Sequence, residues 1–145
     1  FSGCSSLYDI DLSNFNTSNV RSMDSMFFDC TNLKSLNISG FNTSNVYNMN
    51  NMFYGCQNLT SVDLSSFELT NSNGVSSMFE KCTQLKTIYV SSKWMPKDDC
   101  YADNMFKNCT SLVGGAGTTF DSSHTGLEYA HIDVGTSNPG YLTEK

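Results

Sequence analysis

Five of the six cysteines fall on a near-constant spacing: Cys4, Cys30, Cys56, Cys82 and Cys109 are separated by 26, 26, 26 and 27 positions. Other columns keep the same phase. Leu7, Leu33, Leu59, Leu85 and Leu112 follow each Cys by three residues. Ile10, Leu36, Val62 and Ile88 follow by six, and Leu12, Ile38, Leu64 and Val90 by eight. Phe15, Phe41, Phe67 and, past a break, Phe120 form a further column. The pairs Met26-Phe27, Met52-Phe53, Met78-Phe79 and Met105-Phe106 stand just before the Cys. Self-similarity at this period is the signature of a repeat architecture. One short unit cannot bury its apolar face alone, so neighbouring copies must stack and supply each other's interior.

Each unit changes its hydrophobic period once. Val20, Met23, Phe27 and Cys30, like Val46, Met49, Phe53 and Cys56, are spaced by three, four and three, which predicts a short helix. The preceding runs Asn16–Asn19 and Asn42–Asn45 (Asn-Thr-Ser-Asn) offer side-chain oxygens to cap it. After the Cys, Leu7-x-x-Ile10-x-Leu12 alternates as a short strand does. Stacking would set equivalent strands about 4.8 Å apart in a parallel sheet. The pattern runs to residue 112. Gly115 then stands where an apolar residue is due, so residues 113–145 are expected to cap the last unit. Leu127–Val134 is the strand-like part of that cap, and Asn138-Pro139-Gly140 is a turn signal. Irregularities fall late, with Ser72 at a Val position and Trp94-Met95-Pro96 interrupting the fourth unit.

The motif Leu33-x-x-Leu36-x-Ile38 resembles the opening of the leucine-rich repeat. The blocks Leu36–Val46 and Met49–Cys56 are similar, more narrowly, to BspA-type leucine-rich repeats of bacterial surface proteins. The resemblance covers roughly residues 1–112, and the tail from Leu112 to Tyr141 resembles the segment that closes many such arrays. It implies an α/β fold: a right-handed leucine-rich-repeat solenoid of four to five coils, each a short helix and a short parallel strand, with a C-terminal cap. It also implies export, a place at the cell surface, and adhesion to host or bacterial surface macromolecules, protein or glycan. Phe1 occupies the second position of a Met-Phe pair, so the chain is expected to be the C-terminal part of a longer array, and β-edge pairing at its start would favour end-to-end self-association.

Composition excludes several alternatives. Fourteen acidic against eight basic residues give a net charge of −6, the wrong sign for nucleic acid or an anionic membrane surface. No apolar run approaches the ~20 residues that span a bilayer, so membrane insertion is not expected of this segment. Polarity comes instead from 51 Ser, Thr and Asn residues among 145.

No motif points to catalysis or a cofactor. The thiol column would bring neighbouring Cα atoms about 5 Å apart, within disulfide reach, yet each thiol would have two equivalent neighbours. Reduced, buried cysteines acting as small hydrophobes fit better. Cys100 lies outside the column and is expected to be free or exposed. Cys100, Cys109, His124 and His131 lack the close pairing of zinc ligands. Gly114-Gly-Ala-Gly117 lacks the Lys-Ser/Thr that completes a phosphate loop. Serines are abundant, but none sits in a Gly-x-Ser-x-Gly elbow. The remaining candidate is a surface. Residues alternating with the apolar strand positions should line the concave sheet, and the candidate binding face comprises Tyr8, Asp9, Asp11, Asn37, Asp63, Thr87 and Tyr89. A passive spacer projecting another domain, or a glycan-binding module, are the alternatives.

Overall fold

Strands form where the alternating pattern predicts them. The computed structural model, which describes all 145 residues, has β1 (Asp9–Asp11), β2 (Ser35–Asn37), β3 (Ser61–Asp63), β4 (Thr87–Val90) and β5 (Leu142–Glu144). All paired strands run parallel. Ile10 faces Leu36 across β1–β2, and Val62 faces Ile88 across β3–β4, each 26 residues on. Two ladders result, β1–β2 and β3–β4–β5; β2 and β3 are neighbours without ladder pairing. The sheet is open, with no closed barrel.

The expected helix in each unit is absent. The only helical turns are two three-residue 3₁₀ turns, Leu127–Tyr129 and Gly135–Ser137. In place of a helix, the segment through Met23, Phe27 and Cys30 is a string of tight turns, closed by Met26 N–H to the Met23 carbonyl, Phe28 to Ser25 and Cys30 to Phe27. Between these, alternate N–H groups turn sideways. Met23, Ser25, Phe27 and Asp29 donate to the carbonyls of Asn48, Asn50, Met52 and Tyr54 at 2.7–2.9 Å. The same set recurs one unit later, from Met49, Asn51, Phe53 and Gly55 to Gly74, Ser76, Met78 and Glu80.

The physical reason lies in length and in the neighbour. A helix of about ten residues is below the ~12–15 at which helices persist by themselves. A stacked copy in fixed register offers each N–H a carbonyl instead. The apolar 3-4-3 spacing is served equally by either geometry, because both turn residues 23, 27 and 30 inward. The turns require left-handed backbone at Ser25 (φ 56°), Asp29 (52°), Asn51 (56°), Gly55 (72°), Ser77 (53°), Lys81 (64°), Asn104 (57°) and Asn108 (64°). Most are Asn, Asp, Ser or Gly, residues suited to turns, and Asn, Asp and Gly tolerate that region best. The predicted caps do bind backbone, as turns rather than helix starts: Asn16 Oδ1 accepts from Ser18 N–H at 3.1 Å, and Asn42 Oδ1 from Ser44 N–H at 3.0 Å.

The core is a set of columns between units. Phe1, Phe27, Phe53, Phe79 and Phe106 stack with centroids 5.4–6.1 Å apart and ring planes within 5°. Such aromatic contacts contribute about 0.5–1.5 kcal/mol each beyond their burial. The cysteines are free. Cys4 is exposed, against the expected burial, whereas the other four column thiols are buried and find acceptors, Cys30, Cys56, Cys82 and Cys109 Sγ donating to the carbonyls of Phe1, Phe27, Phe53 and Phe79 at 2.9–3.1 Å. Burial pushes the Cys56 and Cys109 thiols up to about 12. Cys100 is free but buried, not exposed. Threonines knit the units from another side. Thr17 Oγ1 donates to the Asn42 carbonyl and accepts from Asn42 N–H, and Thr43 does the same with Glu68.

The one irregular spacing comes after the β3–β4 pairing: Thr87, Ile88 and Tyr89 still face Ser61, Val62 and Asp63 at 26 residues, and the step to 27 falls between Tyr89 and Ser91. The turn that Phe41 and Phe67 close onto Ile38 and Leu64 is closed by Trp94 onto Ser91. Trp94 therefore takes the place of the column phenylalanine. It is buried, and its indole N–H donates to the Ala130 carbonyl at 3.0 Å. Phe120, assigned to that column from sequence, packs on the core beside Tyr141 instead.

The cap completes the apolar column by a substitution in space. Val113 N–H still follows the array, donating to Lys86. The chain then folds back through a Val113–Thr119 bridge whose turn is Gly114–Gly117. β5 enters the vacated place, pairing Leu142 with Ile88. Leu142 thus supplies the apolar residue missing at Gly115. The strand of the cap is β5, and Leu127–Val134, read as strand-like, contributes a 3₁₀ turn and a single bridge from Ile132 to Leu142. Tyr141 lies edge-on to Phe106 at 5.2 Å and ends the ring stack.

One carboxylate holds the cap. Asp133, buried, accepts from the N–H groups of Ala116, Thr118, Gly135 and Gly140 and from the Thr118 hydroxyl, at 2.6–3.3 Å. Burial pushes its carboxyl up, but these donors outweigh burial and bring it down to about 2. The approach is close: a methyl on Gly114 would lie 2.3 Å from the Gly140 carbonyl oxygen.

Candidate functional site

The strand alternation sends Asp9, Asp11, Ser35, Asn37 and Ser61 outward, and all five are exposed. β1 and β2 bring Asp9, Asp11, Ser35 and Asn37 together around an open depression of about 230 Å³, at whose floor Ile10 and Leu36 are only half-buried. Tyr8, 57% exposed, stands at the end of β1 with the Lys34 ammonium 5.2 Å from its ring centroid. That geometry is within cation–π range. Asp11 Oδ1 accepts from Ser13 N–H at 2.9 Å and Asn37 Oδ1 from the Ser39 hydroxyl at 2.8 Å, which fixes both side chains at the strand ends. Hydrogen bonds from Ser13 hold the Asp11 carboxyl below its ordinary range.

The other candidates form a second cluster. Asp63, Thr87 and Tyr89 are half-buried on β3 and β4. Lys145, beyond β5, pairs with Asp63 and lies 5.6 Å from the Tyr89 ring centroid. Burial pushes the Asp63 carboxyl up, but the bonds from Lys145 and Ser65 prevail and lower it overall. Asp63 and Tyr89 are thus already engaged within the chain. The seven candidates do not make one site: Tyr8, Asp9, Asp11 and Asn37 gather over the β1–β2 ladder, and Asp63, Thr87 and Tyr89 over β3–β4.

Sequence reasoning missed both lysines. Lys34 was legible, since it precedes β2 by one residue as Tyr8 precedes β1. Lys145 was not, because it reaches Asp63 only through the position of β5. The zinc candidates are not brought together. Cys109 donates to Phe79, His124 stacks on Tyr129 at 4.5 Å, and His131 Nδ1 lies 3.0 Å from the Ile132 carbonyl. No cluster of three His, Cys, Asp or Glu side chains is placed to hold a metal ion. No helix is long and apolar enough to cross a membrane.

Comparison with known proteins returns no match among curated proteins or solved structures. A family model does match residues 1–118, which include the recurring Cys, Leu and Met-Phe columns and all seven candidate face residues. By that match the chain belongs to the family described as Mycoplasma protein of unknown function, DUF285.

Proposed function

We propose that this chain is a non-enzymatic interaction module of a bacterial cell surface, a leucine-rich-repeat solenoid of BspA type that adheres to host or neighbouring-cell macromolecules through its strand face. The observation that carries the reading is the β1–β2 cluster, where Tyr8, Asp9, Asp11 and Asn37 stand exposed on parallel strands held in fixed register. A rigid array of this kind gains affinity by repetition, because each further engaged unit binds at the effective concentration set by the first. The solenoid reading is supported by the 26-residue register and by lateral bonding between successive units. The absence of α-helices makes it a variant of that architecture with turns on the far side.

The test is capture of proteins from host-cell matrix on the immobilised chain. Tyr8→Ala combined with Asp11→Ala should reduce capture by about tenfold or more, as loss of an aromatic anchor and a charged contact does. Thr87→Ala with Tyr89→Ala should reduce it less, since Lys145 already covers Tyr89. Equal capture by all three proteins would overturn the strand face as the binding surface. No capture by the wild type would favour the spacer.

A further inference from the structure

A second, larger depression lies on the turn side of the units, away from the strand residues. It measures about 390 Å³ and is lined by Asn19, Arg21, Asn45, Tyr47 and Asn71. Asn19, Asn45 and Asn71 are 26 residues apart, so they occupy the same place in three successive units. Their spacing is held nearby by the bridges Ser22–Asn48 and Asn48–Gly74. Side chains in such a parallel column stand roughly 4.8 Å apart.

The polar groups of this groove are set but not used up. Asn45 donates one amide N–H to the Ser18 carbonyl at 2.8 Å, and Asn71 donates to Ser44 at 2.5 Å. Each amide is thereby oriented, while its oxygen has no partner in the chain. Arg21 is the sole arginine, is exposed, and makes no ion pair, the one salt bridge being Lys145–Asp63. Tyr47 is 50% exposed, and its backbone N–H is tied to the Arg21 carbonyl at 2.9 Å, which keeps the two side chains on adjacent units together.

We propose that this groove binds a saccharide bearing a carboxylate, of the uronate or sialate kind. The guanidinium matches a carboxylate in bidentate geometry. The tyrosine ring offers a flat apolar face with a polar tip, and the row of amides pairs with successive hydroxyls. An acidic peptide fits less well. It would bring many charges to one arginine on a protein of net charge −6, and it would leave the amide row without hydroxyl partners.

The test is titration of the whole chain with hyaluronan tetrasaccharide and with sialyllactose, followed by calorimetry and by the Asn side-chain amide signals in NMR. Saturable binding of either sugar is expected, and the tighter one identifies the carboxylate. Arg21→Ala and Tyr47→Ala should each weaken it by about tenfold or more, with Arg21→Lys keeping part of the affinity. Chitotetraose, which lacks the carboxylate, should bind at least about tenfold more weakly. The strand-face variant Tyr8→Ala with Asp11→Ala should bind as the wild type does, which separates this site from the proposed adhesion face. No saturable binding at millimolar sugar, unchanged binding by the Arg21→Ala and Tyr47→Ala variants, or equal affinity for poly-glutamate would overturn the proposal.

Discussion

The repeated units and the cap solve the same problem by opposite means. Between units, backbone N–H groups are satisfied by carbonyls of the neighbouring copy, one bond after another from Met23, Ser25, Phe27 and Asp29. The solution is distributed, so no single polar group is indispensable. In the cap there is no neighbouring copy, and four N–H groups converge on the two oxygens of Asp133. The units therefore depend on apolar volume in their columns, whereas the cap depends on one ionised side chain. Mutations and pH should divide the molecule along this line.

The largest expected effect is in the column of rings. Phe53 is fully buried between Phe27 and Phe79, so Phe53→Ala should cost about 3–5 kcal/mol in a denaturant melt. Phe120→Ala, at a half-buried ring of the cap, should cost clearly less. A similar cost for both would abolish the distinction. Next, Asp133→Ala should destabilise by about 3 kcal/mol, since several buried donors lose their acceptor together.

Asp133 also gives the acid response its sign. Its folded carboxyl, at about 2, lies below the ordinary value of about 3.9 for an unfolded chain. Its ionisation therefore adds stability above about pH 4, and that contribution is lost as pH falls toward 2. Unfolding melts at a series of pH values should show this loss in the wild type. Asp133→Asn should flatten the curve there, and an unchanged slope would assign the acid response elsewhere.

Thiol chemistry sharpens the same contrast more gently. Cys4 is exposed and should alkylate quickly in the native state, while Cys56, Cys82 and Cys109, buried with raised pKa, should react only on unfolding. Peptide mapping after a timed pulse of iodoacetamide reads this order directly. The smallest effect belongs to Lys145→Ala. An exposed ion pair is worth about 1 kcal/mol or less, so stability should barely move. The Asp63 carboxyl should nonetheless titrate at a higher pH, visible in its side-chain NMR shift.

How much of this was legible follows from which residues repeat. The strands, the ring stack and the reduced thiol column were readable, because each recurs in phase and needs only a neighbouring copy. The turns in place of helices were not read, although a signal existed. Ser25, Asn51, Ser77 and Asn104 form a column of turn-favouring residues in the middle of a supposed helix, and Asp29, Gly55, Lys81 and Asn108 a second near its end. Apolar spacing of three and four cannot distinguish a helix from tandem turns whose N–H groups bond sideways. In the cap, no repetition guides the eye. That Leu142 would stand in for Gly115, and Trp94 for a phenylalanine, depends on contacts across the chain rather than on local pattern. For the candidate face, outward alternation accounts for the exposure of Asp9, Asp11 and Asn37, whereas Asp63, Thr87 and Tyr89 are half-buried. Its division into two clusters, one of them covered by Lys145, depends on where the tail returns.

The regular offset between the sideways N–H groups and their carbonyls has an evolutionary reading. From Met23 to Asn48, and again from Met49 to Gly74, the partner lies 25 positions on; from Val75 to Tyr101, past the one extra residue, it lies 26 on. Recombination between the near-identical blocks Asn16–Asn19 and Asn42–Asn45 would add or delete whole periods without leaving any donor stranded. A lone inserted residue has no such licence. It must be swallowed locally, as the stretch between Tyr89 and Ser91 swallows one. Genes built on this plan are thus free to drift in length by quanta, and frameshift-free duplication becomes their easiest route to new reach.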